Sequence, residues 1–366
     1  MTLQTYITAV APFEAACEVD ILPQKHRASR LHGHSYLARV RARMDGEIWA
    51  DFPGDEPRFL QERLGDCVAA LDYRYLNDIV PLPTDENLAR YIMGRVVEVP
   101  GVDKVSVQST HDAGVDLDER NHAHVWRKFR FEAAHQLPNV PEGHKCGRMH
   151  GHSFDVILHA NQSIGSSDMA VDFDALIDIW KPLHDELQYS CLNDIKGLEN
   201  PTSEMLAAWI WNKLKPELPE LSWVTVYETV TAGCHYDGEH YRIWKELRFE
   251  SAVRLVRAPE ADRRSQLHGH SFITRLHLSA PLDDVMGWTI DYGDVKQLFK
   301  PAYDKLDHHP LEQLPGIEDT DTVSILHWMR NEIGESLPQL DRIDLYELQG
   351  CGAFLQWGDN GPALPV

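Results

Sequence analysis

The tripeptide His-Gly-His occurs three times, at 32–34, 150–152 and 268–270, with a constant spacing of 118 residues. Histidines at i and i+2 on a strand present both imidazoles to one face, and the glycine between them lets a neighbouring chain come close. In the middle occurrence a further histidine, His135, lies at the end of a strand-like stretch, 125–137. Antiparallel pairing would lay it opposite His150 and His152. Three converging imidazoles with a fourth position open is the arrangement of a catalytic zinc, whereas a structural zinc is normally closed by four protein ligands. A lone His-x-His is more often surface or core packing; here the third histidine and Cys146 stand in register with it.

The run His144-Lys145-Cys146-Gly147-Arg148 precedes the middle tripeptide. Lys145, Arg148 and a nearby zinc are expected to lower the pKa of Cys146 and favour its thiolate. Such a thiol can move protons at a substrate carbon or attack as a nucleophile. A small buried hydrophobe is the better reading for Cys67, Cys191 and Cys234. The counterparts of Cys146 are Ala28 and Arg264, and those of His135 are Cys17 and Val253. The first copy thus keeps Cys17, His32 and His34, with cysteine a good zinc ligand. The third keeps only His268 and His270 and is expected to hold no metal.

A second pair, Asp307-His308, could serve as a general base, because an aspartate fixes the tautomer of a histidine and raises its basicity. In isolation the run Asp307-His308-His309 reads as an exposed helix end. Its counterparts are Asp72-Tyr73 and Gln188-Tyr189. The copy with zinc set and thiol lacks the pair, and the copy without them has it.

Other segments keep the same period: Phe13-Glu14-Ala15-Ala16, Phe131-Glu132-Ala133-Ala134 and Phe249-Glu250-Ser251-Ala252. Pro83-Thr84-Asp85-Glu86 likewise matches Pro201-Thr202-Ser203-Glu204. A period this long means whole domains in tandem. In the middle copy, 125–137 and 153–160 are rich in β-branched and aromatic residues, as half-buried strands are. The stretches 173–187 and 203–214 have helical apolar spacing, with Thr202 or Ser203 as cap. Two more strands are expected at 223–229 and 241–244. The order β-β-α-α-β-β implies an α+β fold, an antiparallel sheet with helices on one face. Polar stretches near 120–124 and 239–245 divide the chain into units 1–122, 123–243 and 244–366.

A net charge of −22 argues against a nucleic-acid partner, which needs a basic face. An anionic substrate would need a locally basic pocket or a metal. Apolar stretches are too short to span a bilayer and no secretory signal opens the sequence. Six cysteines without close pairing fit reduced thiols in a cytoplasm.

At these residues the sequence resembles the 6-pyruvoyltetrahydropterin synthase / 6-carboxytetrahydropterin synthase family, over essentially the whole chain, three times. The likeness is closest in the middle copy, in Phe-Glu-Ala-Ala-His, Cys-Gly-Arg-Met-His-Gly-His, Asn-Pro-Thr-Ser-Glu and Glu-Thr-x-Thr-Ala-Gly. Its Cys-x3-His-Gly-His spacing is similar to the bacterial 6-carboxytetrahydropterin synthase branch of queuosine synthesis. The resemblance implies the tunnelling fold, with three copies closing a pseudo-trimeric barrel. It implies zinc on His135, His150 and His152, Cys146 as catalytic thiol, and Glu228 or its third-copy counterpart Glu347 as pterin anchor. It also implies one composite site in which Asp307 and His308 complete the middle copy, and a homodimer of such rings. The implied reaction converts 7,8-dihydroneopterin triphosphate to 6-carboxy-5,6,7,8-tetrahydropterin, releasing acetaldehyde and triphosphate; Lys145 and Arg148 read either as compensation for the triphosphate charge or as surface cations. Rival readings are a pyruvoyl-forming triphosphate lyase and a non-catalytic pterin-binding scaffold.

Overall fold

The computed structural model describes residues 2–46, 48–163, 170–358 and 361–362. The expected ββααββ order appears three times. The first repeat comprises β1 (Gln4–Cys17), β2 (His32–Met44), α1 (Glu56–Ala69), β3 (Arg74–Tyr75), α2 (Asp85–Met93), β4 (Val102–Thr110) and β5 (Ala113–Asp118). The second comprises β6 (His122–His135), β7 (His150–Ser163), α3 (Phe173–Leu187), β8 (Ser190–Cys191), α4 (Ser203–Leu214), β9 (Leu221–Thr229) and β10 (Ala232–Tyr236). The third comprises β11 (Tyr241–Val253), β12 (His268–Ser279), α5 (Tyr292–Leu306), α6 (Thr322–Ile333), β13 (Leu340–Leu348) and β14 (Cys351–Gln356).

Helices α3 and α4 fall where the apolar spacing puts them. Thr202 caps α4, its side chain accepting from the Met205 N–H at 3.1 Å. The stretch 241–244 is not the last strand of the middle repeat; it opens β11. The last strand is β10, whose Ala-Gly-Cys-His-Tyr composition carries little β-branched signal.

Apart from the two-residue β3 and β8, which add parallel to β1 and β6, the strands form one antiparallel ladder. It closes on itself where β1 meets β14, from Gln4 opposite Gln356 to Thr8 opposite Gly352. Closure pairs both terminal strands and so leaves no open edge to the main ladder.

Alternation along the strands gives the barrel two unlike faces. The outer face packs on the helices: Phe129 and Phe131 meet Trp180 of α3 at ring distances of 5.2 and 6.4 Å. The inner face is polar. Thr8 lies opposite Arg41, Asp116 opposite His124, and His235 opposite Arg242. His159 and His235 share the Thr225 hydroxyl at 2.8 and 2.7 Å. Asp344 takes two hydrogen bonds from Arg342, at 2.5 and 3.0 Å, and lies 3.2 Å from His277 Nε2.

Burial keeps the lumen histidines neutral. It pushes His124 and His277 down to about 4, and His159 and His235 well below the ordinary value. For groups with folded pKa values below the unfolded value of about 6.5, the unfolded chain takes up protons first, so stability is lost as pH falls from about 6.5 towards 4. Burial alone would raise Asp344, but Arg342 and His277 more than offset it, so its own loss comes only below the usual carboxylate range. Relative to the parent, the thermal midpoint of His277→Gln should therefore rise as pH falls from 6.5 to 4.5, and a difference that stays constant over that window would contradict a neutral, buried histidine at this lumen position.

Candidate metal centre

The β6–β7 ladder sets His135 opposite His150 and Ala133 opposite His152, so all three imidazoles share the helix-facing side. Ring centroids lie 4.5, 5.2 and 5.0 Å apart. Gly151 permits this. A Cβ there would stand 3.1 Å from the Ala133 carbonyl oxygen, so the strands could not keep their present approach.

Second contacts fix which nitrogen points inward. His135 Nδ1 is bonded to the Pro201 carbonyl at 2.9 Å, and His150 Nδ1 to the Arg148 carbonyl at 2.7 Å. In both rings this leaves Nε2 to face the cluster, the tautomer a metal ligand needs. The Nε2 atoms of His135 and His152 are buried without a hydrogen-bond partner. Orphaned buried acceptors are costly, and a cation would satisfy them. Burial, with the neighbouring imidazoles, holds His135 down to about 4 and lowers His152, so both are neutral and ready to ligate. The residues therefore fit a zinc-class ion.

Glu228, next to last in β9, stands at the fourth corner, with Oε1 3.6 Å from His152 Nε2; the four donors lie within 4.8 Å of one another. Burial, reinforced by Glu204 and Asp291, pushes its carboxyl up to about 7. Glu347 is not part of this centre. It lies 3.9 Å from His270, in the third repeat's own counterpart.

Cys146 sits on a short 3-10 turn, its N–H donated to His144 Nδ1 at 3.2 Å. Of the protein groups expected to lower its pKa, Lys145 does so and is outweighed. Burial and the charges of Glu228 and Asp291 push the thiol up, against Lys145 alone. Arg148 is exposed, like Lys145.

The third repeat walls this site through the start of α5 and the loop before it, which the sequence did not reveal. Asp291, the cap of α5, lies 3.2 Å from His144 Nε2, and the Tyr292 hydroxyl is 2.8 Å from Ser203 Oγ. Glu204 accepts from the Thr289 N–H at 2.9 Å and from its hydroxyl at 3.1 Å, while Thr202 donates to the Gly287 carbonyl at 2.5 Å. The repeated Pro-Thr-(Ser/Asp)-Glu segment was the available signal. It marks the helix start that grips the next repeat.

Asp307 and His308 form the expected pair, Oδ2 to Nδ1 at 3.0 Å, and Asp307 raises the pKa of His308. They do so at the other end of α5. Asp307 caps the C-terminus of this 15-residue helix, about 22 Å along its axis from the Asp291 end that meets the middle site. His308 takes the left-handed backbone shared by Tyr73 and Tyr189, with its N–H on the Glu250 carbonyl, and its side chain is 75% exposed. The composite site expected within one chain is therefore not formed: the pair stays with its own repeat, beside Glu250, because the length of α5 separates it from the middle site.

Glu204→Ala leaves the part-buried Thr289 N–H without its acceptor, for a loss of about 1 kcal/mol or more. Denaturant unfolding should show this loss, and a smaller one for Glu204→Gln, which keeps an acceptor oxygen. Equal losses for the two would remove the grip from the account.

Comparison with known proteins agrees with this architecture. The family model described as 6-pyruvoyl tetrahydropterin synthase matches three times, at residues 6–120, 124–239 and 242–357. A 6-carboxy-5,6,7,8-tetrahydropterin synthase from Synechocystis is 44% identical over 119 residues, which is 31% of this chain and 91% of that protein. A putative 6-carboxy-5,6,7,8-tetrahydropterin synthase from Archaeoglobus fulgidus is 34% identical over 85 residues, 23% of this chain and 69% of that protein. Among solved structures, the Caenorhabditis elegans 6-pyruvoyl tetrahydropterin synthase aligns with 18% identity and a TM-score of 0.29, covering 32% of this chain and 95% of that one. With nearly every residue from 6 to 357 falling inside one of three family matches, the chain belongs to the 6-pyruvoyl tetrahydropterin synthase family and carries that domain in triplicate.

Proposed function

We propose that the chain is a zinc-dependent 6-carboxy-5,6,7,8-tetrahydropterin synthase acting on 7,8-dihydroneopterin triphosphate and releasing acetaldehyde and triphosphate, as a step of queuosine synthesis. The observation that carries the reading is the joint retention of Cys146 with His135, His150, His152 and Glu228 in one repeat. A scaffold would need neither thiol nor metal set. The relatives named for this activity support the choice over a pyruvoyl-forming lyase.

Bound to the three histidines, zinc would supply a Lewis acid that polarises the substrate's side-chain hydroxyls and acidifies the neighbouring C–H. Glu228 would accept hydrogen bonds from the amino-pyrimidinone edge of the pterin, in a site dry enough to make them strong. Cys146 would move a proton at the side-chain carbon, and Lys145 and Arg148 would balance phosphate charge at the exposed rim. His308, its basicity raised by Asp307, would handle the proton on the other face. Because α5 turns its N-terminus to the middle site and carries Asp307 and His308 at its far end, the pair completing that site would come from the third repeat of a second ring.

Incubation with dihydroneopterin triphosphate should release acetaldehyde together with a 6-carboxy product identifiable by mass. A pyruvoyl product would reassign the reaction, and an unchanged substrate would refute catalysis. Cys146→Ala and His308→Ala should each abolish turnover with zinc still bound in the middle repeat. If the pair acts between chains, mixing the two inactive variants restores part of the activity. If the mixture stays dead while both variants fold, delivery from a second chain is excluded.

A further inference from the structure

The first repeat keeps a counterpart of the metal centre, and it is open. A cleft of 710 Å³ lies between the first and second repeats, within the size range of small-molecule sites. Cys17, His32 and His34 line it, with donor atoms within 4.8 Å of one another. Cys17 is buried, its Sγ 3.7 Å from His32 Nε2. His32 Nδ1 is tied to the Arg30 carbonyl at 2.6 Å, as His150 is to Arg148, so Nε2 faces the cluster. The His32 and His34 rings stand 4.9 Å apart at 86°, against 5.0 Å and 85° in the middle repeat. The third donor has changed from imidazole to thiol but has not been lost. Loss looks like the third repeat, where Val253 fills the position.

A second feature has been exchanged and kept. Ser109 stands where the middle repeat has Glu228, and Asp85 stands where it has Ser203. The Ser109 hydroxyl donates to Asp85 Oδ2 at 2.8 Å, and both residues line the cleft. Carboxyl and hydroxyl have exchanged positions relative to the middle repeat, where Ser203 bonds instead to Glu204 and Tyr292, so a buried carboxyl group remains in the cleft that holds the metal donors. The surrounding grip is also intact. Glu86 accepts from the Ala170 N–H at 2.7 Å, as Glu204 does from Thr289, and His26 meets Asp172 at 3.3 Å, as His144 meets Asp291. The thiol of the middle repeat is absent, replaced by Ala28.

We propose that the first repeat is a second, non-catalytic binding site that holds a zinc-class divalent cation on Cys17, His32 and His34 and a flat heterocycle whose N–H edge meets Asp85. Thiolate with two imidazoles is a soft donor set suited to zinc over magnesium or calcium. A carboxylate accepting two N–H groups selects cyclic amidine or guanidine edges. Ala28 in place of a thiol leaves the occupant bound and unreacted.

The test reads metal and ligand separately on the full chain. The parent should hold two zinc ions, falling to one in Cys17→Ala/His32→Ala and to one in His150→Ala/His152→Ala. Cobalt loaded into His150→Ala/His152→Ala/Cys146→Ala should give a thiolate-to-cobalt charge-transfer band that Cys17→Ala removes. With unsubstituted pterin as probe, calorimetry should find two sites, one lost in Asp85→Asn with zinc content unchanged and the other in Glu228→Gln. The choice of probe rests on the proposed function, and the Glu228 arm reports on that reading by itself. One zinc per parent chain, no thiolate band, or parental pterin stoichiometry in Asp85→Asn would each overturn the second site.

Discussion

The structure depends on the closure of one antiparallel ladder, in which the first strand of the chain pairs with the last. A repeat of this size carries a sheet whose end strands have unpaired N–H and C=O groups, and an unpaired edge is an open invitation to association. Three repeats in one chain pair every strand of the main ladder on both sides. The covalent links also fix the order of the repeats, so each interface has a defined left and right partner.

Closure then dictates where polar and apolar groups can go. The outer face must bury its aromatic and aliphatic residues under the helices, as Phe131 and Phe154 do. The inner face, buried along its middle, carries charged and imidazole groups that are tolerated because they bond to one another: Arg342 with Asp344, Arg242 with Asp341, His159 and His235 through Thr225. The metal centre lies on the helix side. It forms at the barrel rim, where β6 ends and β7 begins, and the start of α4 and the loop before α5 close over it.

Because each centre sits between neighbouring repeats, fusion lets the three diverge under different constraints. The middle repeat keeps thiol, three imidazoles and carboxylate. The first keeps three donors and a carboxylate by exchanging residue types. The third keeps two imidazoles beside Glu347 and gives Arg264 to Asp55 of the first repeat at 2.6 Å, turning a site position into an ion pair between the chain's two ends. That contact belongs to the same seam as the β1–β14 pairing, which has no peptide link across it. A part-buried, charge-assisted hydrogen bond there helps hold the ring shut.

The sequence by itself determined the threefold repeat, the ββααββ order, the limits of α3 and α4, and the convergence of His135, His150 and His152. Each follows from periodicity or from residues close together on paired strands, where spacing alone fixes the face. Only the tertiary structure decided the rest. It revealed the polar lumen, since the lumen residues lie on twelve strands with no shared motif. It showed that Glu204 and Asp291 join the middle site from two repeats, and that burial with nearby carboxylates outweighs Lys145 at Cys146. It also separated Asp307 and His308 from that site by the length of α5. Local spacing reaches about one strand pair or one helical turn. Closure of the barrel brings together groups more than a hundred residues apart, and no local pattern encodes that.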